Sequence, residues 1–265
     1  MERTEFLDLH VPGSPLILPN AWDAGAARML ESLGFSAVAT TSSGFAATLA
    51  RRDGGLSRDE ALENCAAIVA ATSLPVNADL ENGYSDDPAG VAETVALAAE
   101  TGVAAVSVED CSAASGGRVY ELSHAAERIA AAAEAARGAA QLVIVGRAEN
   151  FLQGVPDLAD TIARLQAYQE AGADVLYAPG LTSAADIRAV VSSVDRPVNV
   201  LATGACPSVE VLAELGAARV SVGGALAFTA YAAAAEAARE LLGSGTYGYL
   251  PQAAAGRAIA EAAFD

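Results

Sequence analysis

Apolar positions along this chain follow two rhythms. Runs of four to six residues rich in Val, Ile, Leu and Ala, short enough for buried strands, occur eight times: LILP (16–19), AVATT (37–41), VNAD (76–79), AVSVE (105–109), LVIVGR (142–147), VLYA (175–178), VNVLA (198–202) and VSVG (220–223). Between them apolar residues recur at intervals of three and four, as in LADTIARLQAYQE (158–170), the period of a helix with one buried face. Ser57 and Glu60 stand where a capping box opens a helix over 57–70. Four junctions repeat one phrase, a helix tail, a glycine and a strand start: LGFSAV (33–38), TGVAAV (101–106), AGADVL (171–176) and LGAARV (215–220). Glycine at such a point takes the left-handed conformation that ends a helix.

Strict alternation of eight strands with helices predicts a closed (β/α)8 barrel of the TIM type. No G-x-G-x-x-G follows the first strand, which argues against an open dinucleotide-binding sheet. No linker or low-complexity break divides the chain, so residues 1–265 read as one barrel domain with a C-terminal helical arm over about 225–265. The arm comprises a helix to about Leu242, the segment GSGTYGYLP (243–251) and a last helix to about Phe264. It exceeds what a barrel needs and is free to pack on another subunit.

Composition narrows the partners. Hydrophobic residues make up 53% of the 265, ample for a large core, and the formal charge is −18 with a sequence pI near 4.3. Nucleic-acid binding needs a basic face, so polyanion partners are excluded. Cys65, Cys111 and Cys206 are odd in number and form no C-x-x-C pair, which leaves neither a disulfide framework nor a thiolate zinc site. The N-terminus MERTEFLDLH lacks the basic start and apolar stretch of a signal peptide, and no window reaches the length of a membrane span. A cytoplasmic protein is expected.

In such a barrel the C-terminal strand ends carry the chemistry. Reading only those ends collects Asp53 from the loop after strand two, Asp79 and Glu81 after strand three, Glu109 after strand four, and Arg147 with Glu149 after strand five. Carboxylates gathered at one mouth repel unless a cation neutralises them, and a hard divalent ion such as Mg²⁺, or Mn²⁺ with the same ligands, does so. The plainer alternative has Asp79 and Glu81 capping the next helix, as Asp86 and Asp87 before Pro88 are placed to do. Ser42, Ser43 and Gly44 are small enough to present backbone N–H groups to a substrate carboxylate or enolate, or to form an ordinary turn. Arg147 could pair bidentately with a substrate anion or with Glu109 or Glu149. Trp22 either lines the mouth or packs. His10 and His124 are not candidate catalysts.

These strand ends resemble the isocitrate lyase/phosphoenolpyruvate mutase superfamily over nearly the whole chain, from PNAWDAGAA (19–27) onward. The segment DLENGY (79–84) is similar to the family's D-x-D-x-G-Y metal segment, with Glu81 in place of the second Asp. Arg52-Asp53 falls where the family places a further acid, VED (108–110) matches its E-D pair, and VGRAE (145–149) its arginine segment. The resemblance implies a barrel whose last helix is exchanged between subunits in a homo-oligomer, a dimer of dimers, and implies Mg²⁺ with a small carboxylic acid bound to it. It makes Asp79 the direct metal ligand, with Asp53, Glu81 and Glu109 ordering the waters, and has Ser43, Gly44 and Arg147 hold the substrate. Lyases of the family carry K-(K/R)-C-G-H in the loop after strand four, and the mutases carry E-D-K followed by an N-S pair. Here the loop reads CSAASGGR (111–118), with neither signature. Cys111 follows Glu-Asp at once and is read as a packing residue.

What remains is the half-reaction shared across the family. The expectation is a Mg²⁺-dependent carbon–carbon lyase or decarboxylase acting on a small 2-oxo or 2-hydroxy carboxylic acid, with Arg147 and Glu109 as catalytic groups. The alternatives are a hydrolase of a C–P or C–C bond in a 2-oxo acid, like phosphonopyruvate hydrolase, and a non-catalytic metabolite-binding barrel. Specificity is expected in the 111–118 loop and at Phe45, Tyr177 and Thr203.

Overall fold

The computed structural model describes residues 3–112, 116–139 and 142–264. In chain order it begins with α1 (Arg3–Leu7), β1 (Leu16–Leu18), β2 (Asn20–Ala21), α2 (Ala24–Ser32), β3 (Val38–Thr40), α3 (Ser42–Thr48) and α4 (Arg58–Ala71). Next come β4 (Val76–Asp79), α5 (Pro88–Glu100), β5 (Ala105–Glu109), β6 (Cys111–Ser112), β7 (Arg118–Val119), α6 (Leu122–Ala139) and β8 (Val143–Arg147). The remainder is α7 (Leu158–Ala171), β9 (Val175–Tyr177), α8 (Ala184–Ser192), β10 (Val198–Leu201), α9 (Val209–Glu214), β11 (Arg219–Ser221), α10 (Ala225–Gly243) and α11 (Leu250–Phe264).

Nine strands form one parallel sheet in the order β1-β11-β10-β9-β8-β5-β4-β3-β2. The first predicted strand is split at Pro19, which has no N–H to give a ladder. Its lower half β1 pairs with β11 and its upper half β2 with β3, so the two ends of the order are joined by the chain itself and the sheet closes. This is the expected eight-staved barrel. Its helices begin as the sequence dictates: Ser57 and Glu60 form the capping box of α4, and Asp87 accepts from the Ala89 amide with Pro88 in the first turn of α5. The four junction glycines, Gly34, Gly102, Gly172 and Gly216, all hold positive φ, between 84° and 107°.

Two cores result. Between sheet and helices lies a continuous layer that includes Leu30, Ile68, Val95, Ile129, Leu165 and Ile187. Inside the barrel, Leu16, Leu18, Val143, Val145 and Val175 meet Phe6 of α1, which is fully buried and plugs the end remote from the strand C-termini. The barrel is therefore filled from below and open only above. Two local differences from the sequence reading bear on the site. Ser42–Thr48 is a short helix, not a turn, started by Thr41 as its N-cap. The loop after β5 holds an antiparallel hairpin of β6 and β7, although 113–115 within the predicted 111–118 loop lie outside the described residues. In the C-terminal arm, α10 buries only Ala227, and α11 returns to α2 of its own chain, where Arg28 Nε donates to the Ala263 carbonyl at 3.2 Å. No helix among the described residues is long and apolar enough to cross a membrane.

Candidate functional site

Strand register assembles the mouth. Glu109 lies opposite Arg147 in the β5–β8 ladder, Asp79 opposite Ser107 in β4–β5, and Arg147 opposite Tyr177 in β8–β9. Glu109, Arg147 and Tyr177 thus share one level of the ladder, with Asp79 and Ser107 two residues below it. They line a cavity of about 190 Å³ that is also bounded by Ser42 and Asp53. A second cavity of about 270 Å³ shares Ser42, Asp53 and Glu109 with the first and adds Glu81, Cys111 and Gln153.

Arg147 is the hub. Its NH1 lies 2.8 Å from Glu109 Oε1 and 3.1 Å from Asp79 Oδ1, while Nε and NH2 reach Glu149 Oε1 at 2.9 and 2.8 Å. Its guanidinium stands over the Tyr177 ring, 4.8 Å from the centroid. Burial works against its charge, but Glu109, Glu149 and Asp79 hold it more firmly protonated than an ordinary arginine. Asp79 is fixed from the other side by Ser42, whose amide and hydroxyl both donate to Oδ2 at 3.0 Å. The α3 N-terminus therefore grips Asp79, and neither Asp79 nor Glu81 caps α5; Asp87 does that.

The acids are held against their preference. Burial and the neighbouring Asp79 raise the pKa of Asp53, and burial with Asp79 and Asp53 pushes Glu81 up to about 7. Burial raises Glu109 well above the carboxylate range and raises Glu149, with Arg147 opposing the rise in both. Glu81 sits in a left-handed backbone conformation (φ 49°) and its Oε1 is buried without a hydrogen-bond partner. Such strain is uncommon outside functional segments. An orphaned buried carboxylate oxygen beside Asp53 and Asp79 is what a hard cation satisfies, so the oxygen donors of Asp79, Asp53, Glu81 and Glu109 suit a divalent ion in kind, although no three of them bring ligand atoms within 4.8 Å of one another. Among the described residues only Glu109, Cys111 and Glu149 bring three ligand-type atoms within 4.8 Å of one another. That trio suits the ion less well. Its thiol is pushed far up by burial and neighbouring carboxylates, and Glu149 is committed to Arg147.

The other predicted residues separate. Ser43 and Gly44 lie in the first turn of α3; Ser43 lines the cavity, while the Gly44 amide donates to Thr41 Oγ1 at 3.3 Å. A Cβ at Gly44 would stand 2.7 Å from Thr41 Cγ2 and 3.1 Å from the Cβ atoms of Ala227 and Trp22, so this glycine permits close packing. Trp22 packs against the helix-side core and lines neither cavity. Tyr177 lines the first cavity, whereas Phe45 and Thr203 line neither. Cys111 is buried as expected, yet it lines the second cavity and its Sγ approaches Glu109 Oε2 at 3.7 Å.

Three features escaped the sequence reading. Asn77, Asn199 and Arg219 point into the barrel beneath the acids; their only signal was a polar residue inside an apolar run. Arg128, 1% exposed, donates to the carbonyls of Glu109 and Ser85 at 2.9 Å and also to that of Asn82. It ties the arm carrying Glu81 to the end of β5, and nothing in its alanine-rich helix announced this. Asp110 accepts from the Glu149 amide at 2.8 Å, from Arg164 at 3.1 Å and from the Tyr168 hydroxyl, anchoring the segment after Arg147.

A barrel closed below, with carboxylates converging on a buried arginine above, defines an α/β-barrel enzyme with its site at the C-terminal mouth. The chain belongs to the phosphoenolpyruvate phosphomutase family, which matches residues 6–242, within the isocitrate lyase/PEP mutase superfamily its motifs resemble. It is 33% identical over 235 residues to an uncharacterised protein of Mycobacterium tuberculosis H37Rv, covering 88% of this chain and 87% of that one. A structure from Burkholderia cenocepacia J2315, provisionally described as a lyase/mutase, superposes with a TM-score of 0.92 at 47% identity, covering 97% of this chain and 94% of the other. The structure of 2,3-dimethylmalate lyase, a member of that superfamily, gives a TM-score of 0.83 at 30% identity over 93% and 89% of the two chains.

Proposed function

We propose that this protein is a Mg²⁺-dependent lyase or decarboxylase that breaks a carbon–carbon bond in a small 2-oxo or 2-hydroxy carboxylic acid. The observation that carries the reading is Arg147 bridging Asp79, Glu109 and Glu149 at the wall of a small polar cavity. At about 190 Å³ this space falls below the ~300–1,000 Å³ of pockets for drug-sized ligands, which favours a substrate of few heavy atoms.

Asp79 would hold Mg²⁺ or Mn²⁺ directly, and Asp53, Glu81 and Glu109 through its waters. When bound, the ion supplies Lewis-acid polarisation of the substrate's 2-oxo or 2-hydroxy oxygen. The chain does the rest. Relieved of Asp79 and Glu109, Arg147 turns two donors to the substrate anion while Glu149 and Tyr177 keep its plane fixed. In a 2-oxo acid the C3–C4 bond breaks and its electron pair forms the C2–C3 enolate as C4 leaves as carbon dioxide. In a 2-hydroxy acid the hydroxyl gives its proton to water and C2 becomes the carbonyl carbon as the C2–C3 bond breaks. The pair then passes to C3 as the enolate of the carboxylate that C3 carries. The Arg147 charge, in a site with little water, stabilises the enolate oxygen. Water delivers the proton to C3. Glu109, whose burial favours its protonated form, is placed at Arg147 to hold a proton during this exchange.

The C-terminal arm completes the reading as a homo-oligomer, a dimer of dimers joined through these helices. Phe228, Tyr231, Leu241 and Leu242 are exposed on α10, an apolar surface suited to a second copy. The catalytic reading is tested with Asp79→Ala against a panel of 2-oxo and 2-hydroxy acids. A folded but inactive variant and a wild type silenced by EDTA are expected. Full activity with EDTA present overturns the proposal, and phosphate release would move it to C–P hydrolysis.

A further inference from the structure

Arg128 is a buried cation that the reaction above does not use. It lies on α6 and is 1% exposed, and among the described residues no carboxylate lies within ion-pair distance of it. Its NH1 donates to the Glu109 carbonyl at 2.9 Å, and its NH2 donates to the Ser85 carbonyl at 2.9 Å and to that of Asn82. The Tyr120 ring faces the guanidinium, with 4.3 Å to the centroid, and the Asn82 side-chain amide donates to the hydroxyl of that same tyrosine at 3.0 Å. One planar fork thus spans two segments of the mouth, the arm after β4 and the last residue of β5.

The arm is a segment that needs holding. Glu81, Gly83 and Tyr84 have positive φ of 49°, 73° and 55°, and two of the three are not glycine. A left-handed backbone at such residues persists only where the surrounding structure over-determines it. Arg128 takes the carbonyls of Asn82, inside this run, and of Ser85, just beyond it, so relaxation of the run would pull both off the fork. At the same junction the Glu109 amide donates to the Glu81 carbonyl at 2.8 Å, and Arg128 takes the Glu109 carbonyl. Two carboxylate-bearing residues are therefore placed through their backbones by a guanidinium that bonds to neither carboxylate.

We propose that Arg128 is a positioning residue for the acidic ring: by pinning the strained Glu81–Tyr84 backbone to the end of β5 it sets the Glu81 and Glu109 carboxylates relative to each other, and with them the affinity for a divalent ion. This rests on the metal reading above and goes beyond it in naming what holds the acids in place. Its contribution is the fork rather than the charge. A lysine carries the same charge but gathers its donors at one point, which does not span the two segments.

The test is calorimetric Mg²⁺ binding to Arg128→Met, Glu81→Gln and the double variant. Arg128→Met is expected to weaken Mg²⁺ by about tenfold or more, as loss of a group that orients metal ligands does, and Arg128→Lys to recover only part of this. If Arg128 acts through Glu81, the loss in the double variant is smaller than the product of the two single losses; losses that multiply overturn the proposal. Amide hydrogen exchange reads the arm without the ion. The Gly83 amide donates to the Leu80 carbonyl at 2.7 Å and the Tyr84 amide to Asn82 Oδ1 at 3.1 Å, so both report on the arm. Their exchange is expected to quicken by about tenfold or more in Arg128→Met while the strands β8 and β9 keep wild-type protection. Unchanged exchange at Gly83 and Tyr84 overturns the proposal, as does an equal loss of protection across the barrel. Should the methionine variant not fold, both measurements are read in Arg128→Lys by the same criteria. A wild type that binds no Mg²⁺ removes the metal reading, and exchange at Gly83 and Tyr84 then decides on Arg128 by itself.

Discussion

Replacing Arg147 by methionine removes the charge that holds the site together while keeping most of its volume. The structure says what is left behind: Glu149 with its side chain 3% exposed, Asp79 at 15% and Glu109 at 16%, all without their cation. Breaking a buried ion pair from one side costs about 3–5 kcal/mol. For 265 residues the unfolding entropy is about 0.55 kcal/mol/K, so Tm should fall by about 5–9 °C at pH 8. The loss should depend on pH in a defined direction. Glu109 and Glu149 already have raised pKa values in the folded protein, and Arg147 is the group opposing the rise. Without it their folded pKa values climb further above the unfolded ones. A raised folded pKa adds stability as pH falls through it, an addition that is complete below the unfolded value near 4.3. The deficit of the variant should therefore shrink between pH 8 and pH 5, by up to about 1.4 kcal/mol for each unit of additional shift. Scanning calorimetry of wild type and Arg147→Met at both values reads this directly. Arg147→Lys, which keeps a charge but not the fork, should fall between them. An unchanged Tm at pH 8, or an equal deficit at both pH values, would refute the claim that these carboxylates depend on Arg147 for their charge.

Two further expectations follow from the same geometry. Glu81, pushed up to about 7 by burial and by Asp79 and Asp53, holds a proton in the metal-free protein at pH 6.5, so Mg²⁺ binding should release protons there and weaken as pH falls. Titrations in buffers of different ionisation enthalpy count the protons; identical heats in all buffers, or an unchanged count in Glu81→Gln, would contradict the assignment. The exposed apolar side chains of α10 should be covered in solution, so light scattering should give a multiple of the 26.6 kDa chain, and Leu242→Glu with Tyr231→Glu should lower it. A wild type that stays monomeric at tens of micromolar would remove the oligomer from the proposal.

Local rules wrote most of the barrel into the chain. Eight apolar runs became staves, the capping box and Asp87-Pro88 opened their helices, and the glycine of each helix-to-strand phrase took the left-handed turn the phrase requires. These are short-range effects, set by side-chain sterics and hydrogen bonds within a few residues, and so they can be read without knowing what lies opposite. The strand-end acids were legible for the same reason. A barrel sends the C-terminal ends of its strands to one mouth, so Asp79, Glu109 and Arg147 had to meet once the strands were placed.

Register and the paths of long side chains needed the fold. Whether Arg147 would face a ligand, Glu109 or Glu149 was open in the sequence; pairing of β5 with β8 put it between Glu109 and Asp79 as well as against Glu149. Ser42 became the N-terminus of a helix gripping Asp79, and Trp22 went into packing, because the approach of α10 to α3 leaves space only for Gly44. Arg128 and Arg219 gave least warning. Each acts at a distance of many residues, on the carbonyls of Asn82 and Ser85 or the amides of Asn77 and Asn199, and partners brought together only by tertiary folding leave no spacing to read. Short-range sterics thus fixed the staves and their ends, and closure of the sheet decided which charges would share a cavity.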